Sequence, residues 1–304
     1  MKVLVTGASG FIGTHLIKLL ASDGIQIATH GPVPGILGQH TSVPFEDLEY
    51  FSQAIADIAP DYIIHLAGVA NATAFQDFYH VNFHYAAHLF RALEIAGLKD
   101  RPVLLVGTAA EYGPVPDEQL PITEETLASP VTHYGASKLA QTALGLALAQ
   151  EGRPVVIARP FNVIGPGMGD HLSIQRFARL IFNVKRGLTP PVIEVGNLSS
   201  YRDFIDVRDA AKAFWQLVQT PSAYGQIVNI CTGTPVLIQS ALDALLEISG
   251  VAVEIRISPK YFRSGDVSRN YGSPARLQQL TGLMPAYPFN VTLQDIWKQL
   301  DLEE

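Results

Sequence analysis

The chain opens on Val3-Leu4-Val5-Thr6, which runs straight into Gly7-Ala8-Ser9-Gly10-Phe11-Ile12-Gly13 and then into a helical pattern carrying Leu16, Leu19 and Leu20. Glycines recurring every third residue after a first apolar run allow a tight turn, let backbone approach a pyrophosphate, and let the helix pack closely on the strand. The helix N-terminus contributes unpaired N–H groups and positive potential. This pattern predicts a dinucleotide seated on Gly7, Gly10, Phe11, Ile12 and Gly13, and a parallel sheet begun by the first strand.

The rest of the chain is consistent with that start. Short, almost wholly apolar runs recur at Val3-Leu4-Val5, Tyr62-Ile63-Ile64, Val103-Leu104-Leu105-Val106 and Val155-Val156-Ile157-Ala158, as parallel strands covered on both faces require. Phe11 to Ala21, Leu48 to Ile58, Val81 to Ala96 and Gly135 to Gln150 carry apolar residues at helical spacing between them. The alternation predicts an α/β fold, a Rossmann-type doubly wound parallel sheet over residues 1–162. Beyond Pro160, breakers such as Gly165-Pro166-Gly167 and Thr189-Pro190-Pro191 shorten the pieces, which predicts a smaller C-terminal α/β substrate domain over 163–304. Phe204-Ile205-Asp206-Val207 and Gln226 to Ile230 read as strands returning to the first sheet, so the boundary is discontinuous near 201–232.

Composition removes other classes. With 48% hydrophobic and 16% charged residues in 304, the chain has ample material for a core. A net charge of -7 without a basic run argues against nucleic acid as the main partner. A lone Cys231 excludes an internal disulfide and a multi-cysteine zinc site, and the apolar run around it makes it a small buried hydrophobe; Phe214 and Trp215 read as core in the same way. No apolar run reaches the ~20 residues that span a bilayer, and no charged-then-apolar leader opens the chain, so no membrane partner is expected and the cytoplasm is the expected compartment.

Tyr134 and Lys138 lie four apart in a helical stretch, which stacks them on one face. An ammonium beside a phenol favours the phenolate and brings a group that titrates near ~10 in water toward neutrality. Such a pair is proton-transfer equipment. The second strand, Ile25-Gln26-Ile27-Ala28-Thr29-His30, ends with neither the acid that binds a free ribose hydroxyl nor an Arg for a phosphorylated one, so the cofactor is open between NAD and NADP.

Together these residues resemble the extended short-chain dehydrogenase/reductase family, in its nucleotide-sugar epimerase and dehydratase branch. Gly7-x-x-Gly10-x-x-Gly13 is similar to its cofactor turn, His65-Leu66-Ala67-Gly68 to its fourth-strand motif, Asn82 to the Asn opening the next helix, and Tyr134-x-x-x-Lys138 to its catalytic pair. Thr108-Ala109-Ala110-Glu111-Tyr112-Gly113 resembles the segment whose first residue is the catalytic Ser or Thr. Arg159-Pro160-Phe161-Asn162-Val163-Ile164-Gly165-Pro166-Gly167, Val195-Gly196-Asn197-Leu198, Arg202 to Asp209 and Arg263-Ser264-Gly265-Asp266-Val267 resemble the GDP-4-keto-6-deoxy-mannose reductases. The resemblance departs from the pattern where relatives end their third strand in Asp-Leu against the adenine, since Pro44-Phe45 falls there. It departs again where dehydratases carry acids after the catalytic Thr, since those places hold Ala109 and Ala110.

The resemblance implies NAD(P)H-dependent reduction of a 4-keto-6-deoxy nucleotide sugar, GDP-linked by preference. Tyr134 would donate the proton, Lys138 would lower its pKa and hold the nicotinamide ribose, and Thr108 would hydrogen-bond the keto oxygen. Leu66, Ala67, Gly68 and Pro160 join the cofactor site. Arg202 and Arg263 would clamp the substrate pyrophosphate with Asn162 beside them, and Asp266 would accept from a ribose hydroxyl. Asn82 would support the helix backbone and a proton-relay water.

Other readings stay open. An epimerase uses the same Tyr, Lys and hydride while recycling a bound NAD, and a non-catalytic dinucleotide sensor would suit the depleted adenosine side. His80, His84 and His88 are spaced for one helix face. No carboxylate or Cys completes a metal set in sequence. The resemblance implies instead that their helix pairs with its symmetry mate in a homodimer.

Overall fold

The computed structural model describes residues 1–262 and 267–302. The first half alternates β1 (Lys2–Thr6), α1 (Phe11–Ser22), β2 (Gln26–His30), β3 (Gln39–Thr41), α2 (Leu48–Ile58), β4 (Tyr62–His65), the short α3 (Phe75–Tyr79), α4 (Tyr85–Ile95), β5 (Val103–Val106), α5 (His133–Gln150) and β6 (Val155–Pro160). The second half continues with β7 (Asn162–Ile164), α6 (Ser173–Lys185), β8 (Val192–Val195), β9 (Tyr201–Asp206), α7 (Val207–Val218), β10 (Ile227–Ile230), β11 (Pro235–Leu237), α8 (Ile238–Ser249), β12 (Glu254–Ile257), β13 (Arg269–Asn270), α9 (Ala275–Thr281) and α10 (Phe289–Leu302).

Seven strands form one sheet in the order β3-β2-β1-β4-β5-β6-β10, every pair parallel. Strand order reverses between β1 and β4, and the carboxyl ends of those two strands border the crevice where a doubly wound sheet takes its ligand. Both faces are covered. Val3 and Val5 point with Ile64, Leu104 and Val156 into a core closed by Leu16 and Leu20 of α1 and Phe214 and Leu217 of α7. Leu4, the residue between, points with Ile63, Leu105 and Ile157 to the other face, against Phe51 of α2 and Leu89 and Leu93 of α4. That two-sided burial is why the strands read as continuous apolar runs rather than alternating ones.

Of the two later segments expected to return, Ile227–Ile230 joins the sheet beside β6, with Val228 opposite Ala158. Tyr201–Asp206 does not. It pairs instead with β7, β11 and β13 in a separate sheet, because its partner Asn162–Ile164 continues directly past the end of β6 and carries β9 with it. A second core gathers Ile174, Phe177 and Ile181 of α6 with Leu242, Ile296, Trp297 and Phe204. Phe214, Trp215 and Cys231 are all buried, and burial pushes the Cys231 thiol well above its usual range.

Two buried carboxylates tie the loops of this half together. Asp203 accepts from Thr232 N at 2.8 Å, Thr232 Oγ1 at 2.7 Å, Gly233 N at 2.9 Å and Gly272 N at 3.3 Å. Asp206 caps α7, and its oxygens take Arg208 and Thr292 Oγ1, while Arg208 reaches on to Asp295 of α10.

The expected helix over Val81 to Ala96 departs from the pattern at its start. Residues His80–His84 form a π turn, and only Tyr85–Ile95 is α-helical. The wider turn swings Asn82 inward to complete burial, where Oδ1 accepts from Val69 N at 2.8 Å and Nδ2 donates to Val69 O at 3.0 Å and Ser137 Oγ at 2.9 Å. Asn82 therefore ties the loop after β4 to α5, the helix of Tyr134 and Lys138.

Candidate active site

Two glycine contacts set the distances in the cofactor crevice. Gly7 sits at φ +69, and a Cβ there would stand 2.7 Å from Ala67 N, so only glycine lets the first turn lie against the end of β4. Gly13 lies against the Gly7 and Ala8 backbone in the same way. The first turn of α1 follows Gly10 with no side chain capping it, so its N–H groups are left for a ligand. This cradle fits a dinucleotide pyrophosphate. Gly10 and Phe11 line a cavity of about 530 Å³ with Ser9, Thr14, His15 and Lys18, while Ile12 is turned into the core.

The adenosine side is built unlike the pattern. His30, ending β2, is buried, bonds Tyr85 Oη through Nδ1 and reaches Val43 O through Nε2 at 2.7 Å. Gly31 to Gly38 carries no charged side chain. Pro44 and Phe45 follow β3 rather than end it, and the Phe45 ring stacks on Tyr85 at 4.4 Å. Neither an acid nor an Arg stands there to choose between NAD and NADP.

At the other end of the crevice Thr108, Tyr134, Pro160, Asn162 and Arg202 all line one cavity of about 480 Å³. Thr132 caps α5 by accepting from Gly135 N at 3.0 Å. A Cβ on Gly135 would stand 2.6 Å from Ala110 O, so the first turn of α5 is pressed against the turn after Thr108. The two hydroxyl residues share one wall of this cavity, and Thr108 acts to lower the Tyr134 phenol. Ala109 and Ala110 present methyl groups to the same cavity.

Lys138 stands behind this wall. Its Nζ is buried, donating to Val106 O and to Gln141 Oε1, each at 2.9 Å. Burial lowers its pKa to about 8, against the raising influence of Glu111. The expectation that Lys138 lowers the Tyr134 phenol is corrected here. Burial raises that phenol above its usual value, Thr108 works to lower it, and Glu111 raises it further. Two of the lysine's three proton donors are taken by Val106 and Gln141.

A cluster with no assigned role lies under Thr108. Glu111 Oε1 accepts from Thr108 N at 2.9 Å, while Oε2 accepts from Thr142 Oγ1 at 2.9 Å, Arg159 Nε at 2.8 Å and Arg159 Nη2 at 2.7 Å. Both charged residues are buried. The guanidinium also lies 4.7 Å over the Tyr112 ring, whose phenol burial pushes up to about 12. Two sequence signals pointed here: the Thr108-x-x-Glu111 spacing of a capping box, and an Arg closing the otherwise apolar run of β6.

On the substrate side, Asn162 donates to Asp203 O at 3.0 Å, and Arg202 Nη1 donates to Tyr201 O and Val267 O, each at 2.8 Å. A second cavity of about 160 Å³, reaching Arg176, Asn197 and Tyr261, shares Asn162, Ser173, Arg202 and Phe204 with the first. Arg263 and Asp266 lie outside the described residues. The histidine row is spent on local contacts: His80 Nε2 pairs with Glu46 at 2.9 Å, and the His88 ring bonds His84 O at 2.8 Å. Among the described residues no group of three or more His, Cys, Asp or Glu is placed to hold a metal ion, and no helix is long and apolar enough to cross a membrane.

The NAD dependent epimerase/dehydratase family model matches residues 3–231. The chain belongs to that family. It is 34% identical to a GDP-6-deoxy-D-mannose reductase of Pseudomonas aeruginosa, over 100% of this chain and 99% of the relative. It is 30% identical to a GDP-6-deoxy-D-talose 4-dehydrogenase of Aggregatibacter actinomycetemcomitans, over 93% and 92%. The solved structure of RMD from Pseudomonas aeruginosa complexed with NADPH superposes with a TM-score of 0.87 at 33% identity, covering 100% of this chain and 99% of that one. The chain is thus an NAD(P)-dependent enzyme of the epimerase/dehydratase type.

Proposed function

We propose that this enzyme reduces a 4-keto-6-deoxy nucleotide sugar, GDP-linked by preference, to the 4-hydroxy sugar with NADPH or NADH. The observation that carries the reading is the Thr108–Tyr134 hydroxyl pair on the wall of the cavity that Pro160, Asn162 and Arg202 also line. Two relatives, each matched over more than nine-tenths of both chains, whose names give GDP-6-deoxyhexose oxidoreductions support the substrate class.

A bound reduced nicotinamide supplies the hydride for C4. Tyr134 gives its phenolic proton to the C4 oxygen, so that the carbonyl becomes CH–OH, and Thr108 donates a hydrogen bond to the same oxygen as charge develops. A phenol raised by burial is protonated at neutral pH and is suited to the donor's role. Lys138, Gly68, Ala67, Leu66, Pro160 and the Gly7–Gly13 turn hold the cofactor. Arg202, with Arg263, Asn162 and Asp266, takes the substrate's diphosphate and ribose. Residues 1–162 with the strand at Ile227–Ile230 serve the cofactor, and 163–304 the sugar nucleotide. The enzyme works as a homodimer paired through the π turn and helix that carry His84 and His88.

Ala109 and Ala110 support reduction over dehydration, because elimination across C5 and C6 needs an acid and a base where two methyl groups stand. The test is a panel of 4-keto-6-deoxy nucleotide sugars with each cofactor. Reduction predicts NAD(P)H oxidised mole for mole with sugar. Isomerised sugar without net oxidation makes the chain an epimerase, and cofactor binding without turnover of any sugar makes it a sensor.

A further inference from the structure

We propose that Glu111 is a positioning residue for this reaction: it holds the Thr108 main chain so that the Thr108 hydroxyl is aimed at the reacting oxygen, and Arg159 and Thr142 hold Glu111. The proposal rests on the reductive reading of the Thr108–Tyr134 pair and assigns the part of the site that makes Thr108 effective.

The geometry is a chain of defined bonds. One carboxylate oxygen receives Thr108 N, and the other receives Thr142 Oγ1 and two guanidinium nitrogens, so the carboxylate's orientation is fixed from two elements, α5 and β6. Gly107 is what lets it in, since a Cβ there would collide with Glu111 Oε1. Thr108 Oγ1 accepts from Ala110 N at 3.2 Å. Accepting there leaves the single hydroxyl proton free to donate to an oxygen in the cavity. Burying an ion pair is costly and does not by itself stabilise a fold, whereas one carboxylate oxygen held by two guanidinium nitrogens and a hydroxyl, with the other on Thr108 N, fixes orientation.

Its electrostatic effect falls on the reacting groups. The charged and titratable groups around Glu111 are Arg159 from β6, Tyr134 and Lys138 from α5, and Tyr112 from its own turn, with His65 of β4 facing Lys138. Among them the Glu111 charge adds to the burial that raises Tyr134.

The test is a double-mutant cycle in the full chain, with a 4-keto-6-deoxy GDP-sugar and NADPH. Glu111→Gln should lower kcat roughly tenfold, leave NADPH affinity by fluorescence titration unchanged, and move the alkaline limb of the kcat profile to lower pH. In a Thr108→Val background the same change should cost almost nothing further in kcat on the pH plateau, because the positioning effect passes through Thr108, while the shift of the alkaline limb, which acts on Tyr134 directly, should persist. If Glu111→Gln does not fold, Thr142→Val carries the same cycle with a smaller loss. Equal losses in both backgrounds, or an unmoved pH profile, overturn the proposal while leaving the reductase reading intact. A Thr108→Val enzyme as active as wild type overturns both.

Discussion

Gly68 and Lys138 are complementary: a Cβ on Gly68 would stand 3.0 Å from Lys138 Nζ and 2.9 Å from Asn82 Oδ1. The glycine is needed for space, since it carries no positive φ and no strain. Gly68→Ala should therefore fold, bind sugar nucleotide normally and lose about tenfold in kcat as the ammonium and Asn82 are displaced. A variant with wild-type kcat would mean that the lysine's placement is not critical.

Tyr134→Phe removes the proton donor and keeps the ring. Its kcat is expected to fall by roughly a hundredfold to ten-thousandfold, with NAD(P)H affinity preserved. Steady-state turnover beside a cofactor fluorescence titration measures both.

Arg202 is anchored on Tyr201 O and Val267 O between the two cavities. Losing a pre-positioned guanidinium from a diphosphate should raise the sugar-nucleotide KM roughly tenfold to a hundredfold in Arg202→Ala. Cofactor affinity should not move, and an equal loss of both would place the arginine elsewhere in the reaction.

Lys138 makes folding sensitive to alkaline pH. Its pKa is about 8 when folded against 10.5 in an ordinary setting, so between those values the unfolded chain holds the proton that the folded one has released. More protons bound to the unfolded state means that stability rises with pH across that window, by up to about 3 kcal/mol. Below pH 8 the full burial cost is borne. Urea denaturation of wild type and Lys138→Met, both without cofactor, should show wild type gaining on the variant from pH 8 to pH 10.

Much of this was legible in the sequence because it is local. The Gly7–Gly13 turn, the doubly buried strands and the Tyr134–Lys138 spacing each need only a window of a few residues, and each recurs in the fold. What escaped depends on distance along the chain. Glu111 meets an arginine 48 residues away, and no spacing rule joins the two. Burial reversed the expected shift of Tyr134, a quantity set by everything packed around the ring. The strand at Tyr201–Asp206 has a sequence suited to either sheet, and only its pairing with Asn162–Ile164 decides which one it enters.

The edge strand Ile227–Ile230 has a consequence for fragments of the chain. Without Ile227–Ile230, the Val155–Pro160 strand would carry an open flank of backbone amides and carbonyls on an apolar ribbon, the kind of edge that invites aggregation. The nucleotide-binding half is thus completed by a segment that follows the substrate-side strands. Fragments cut between the two halves should emerge insoluble, and useful truncations must keep the chain through Cys231.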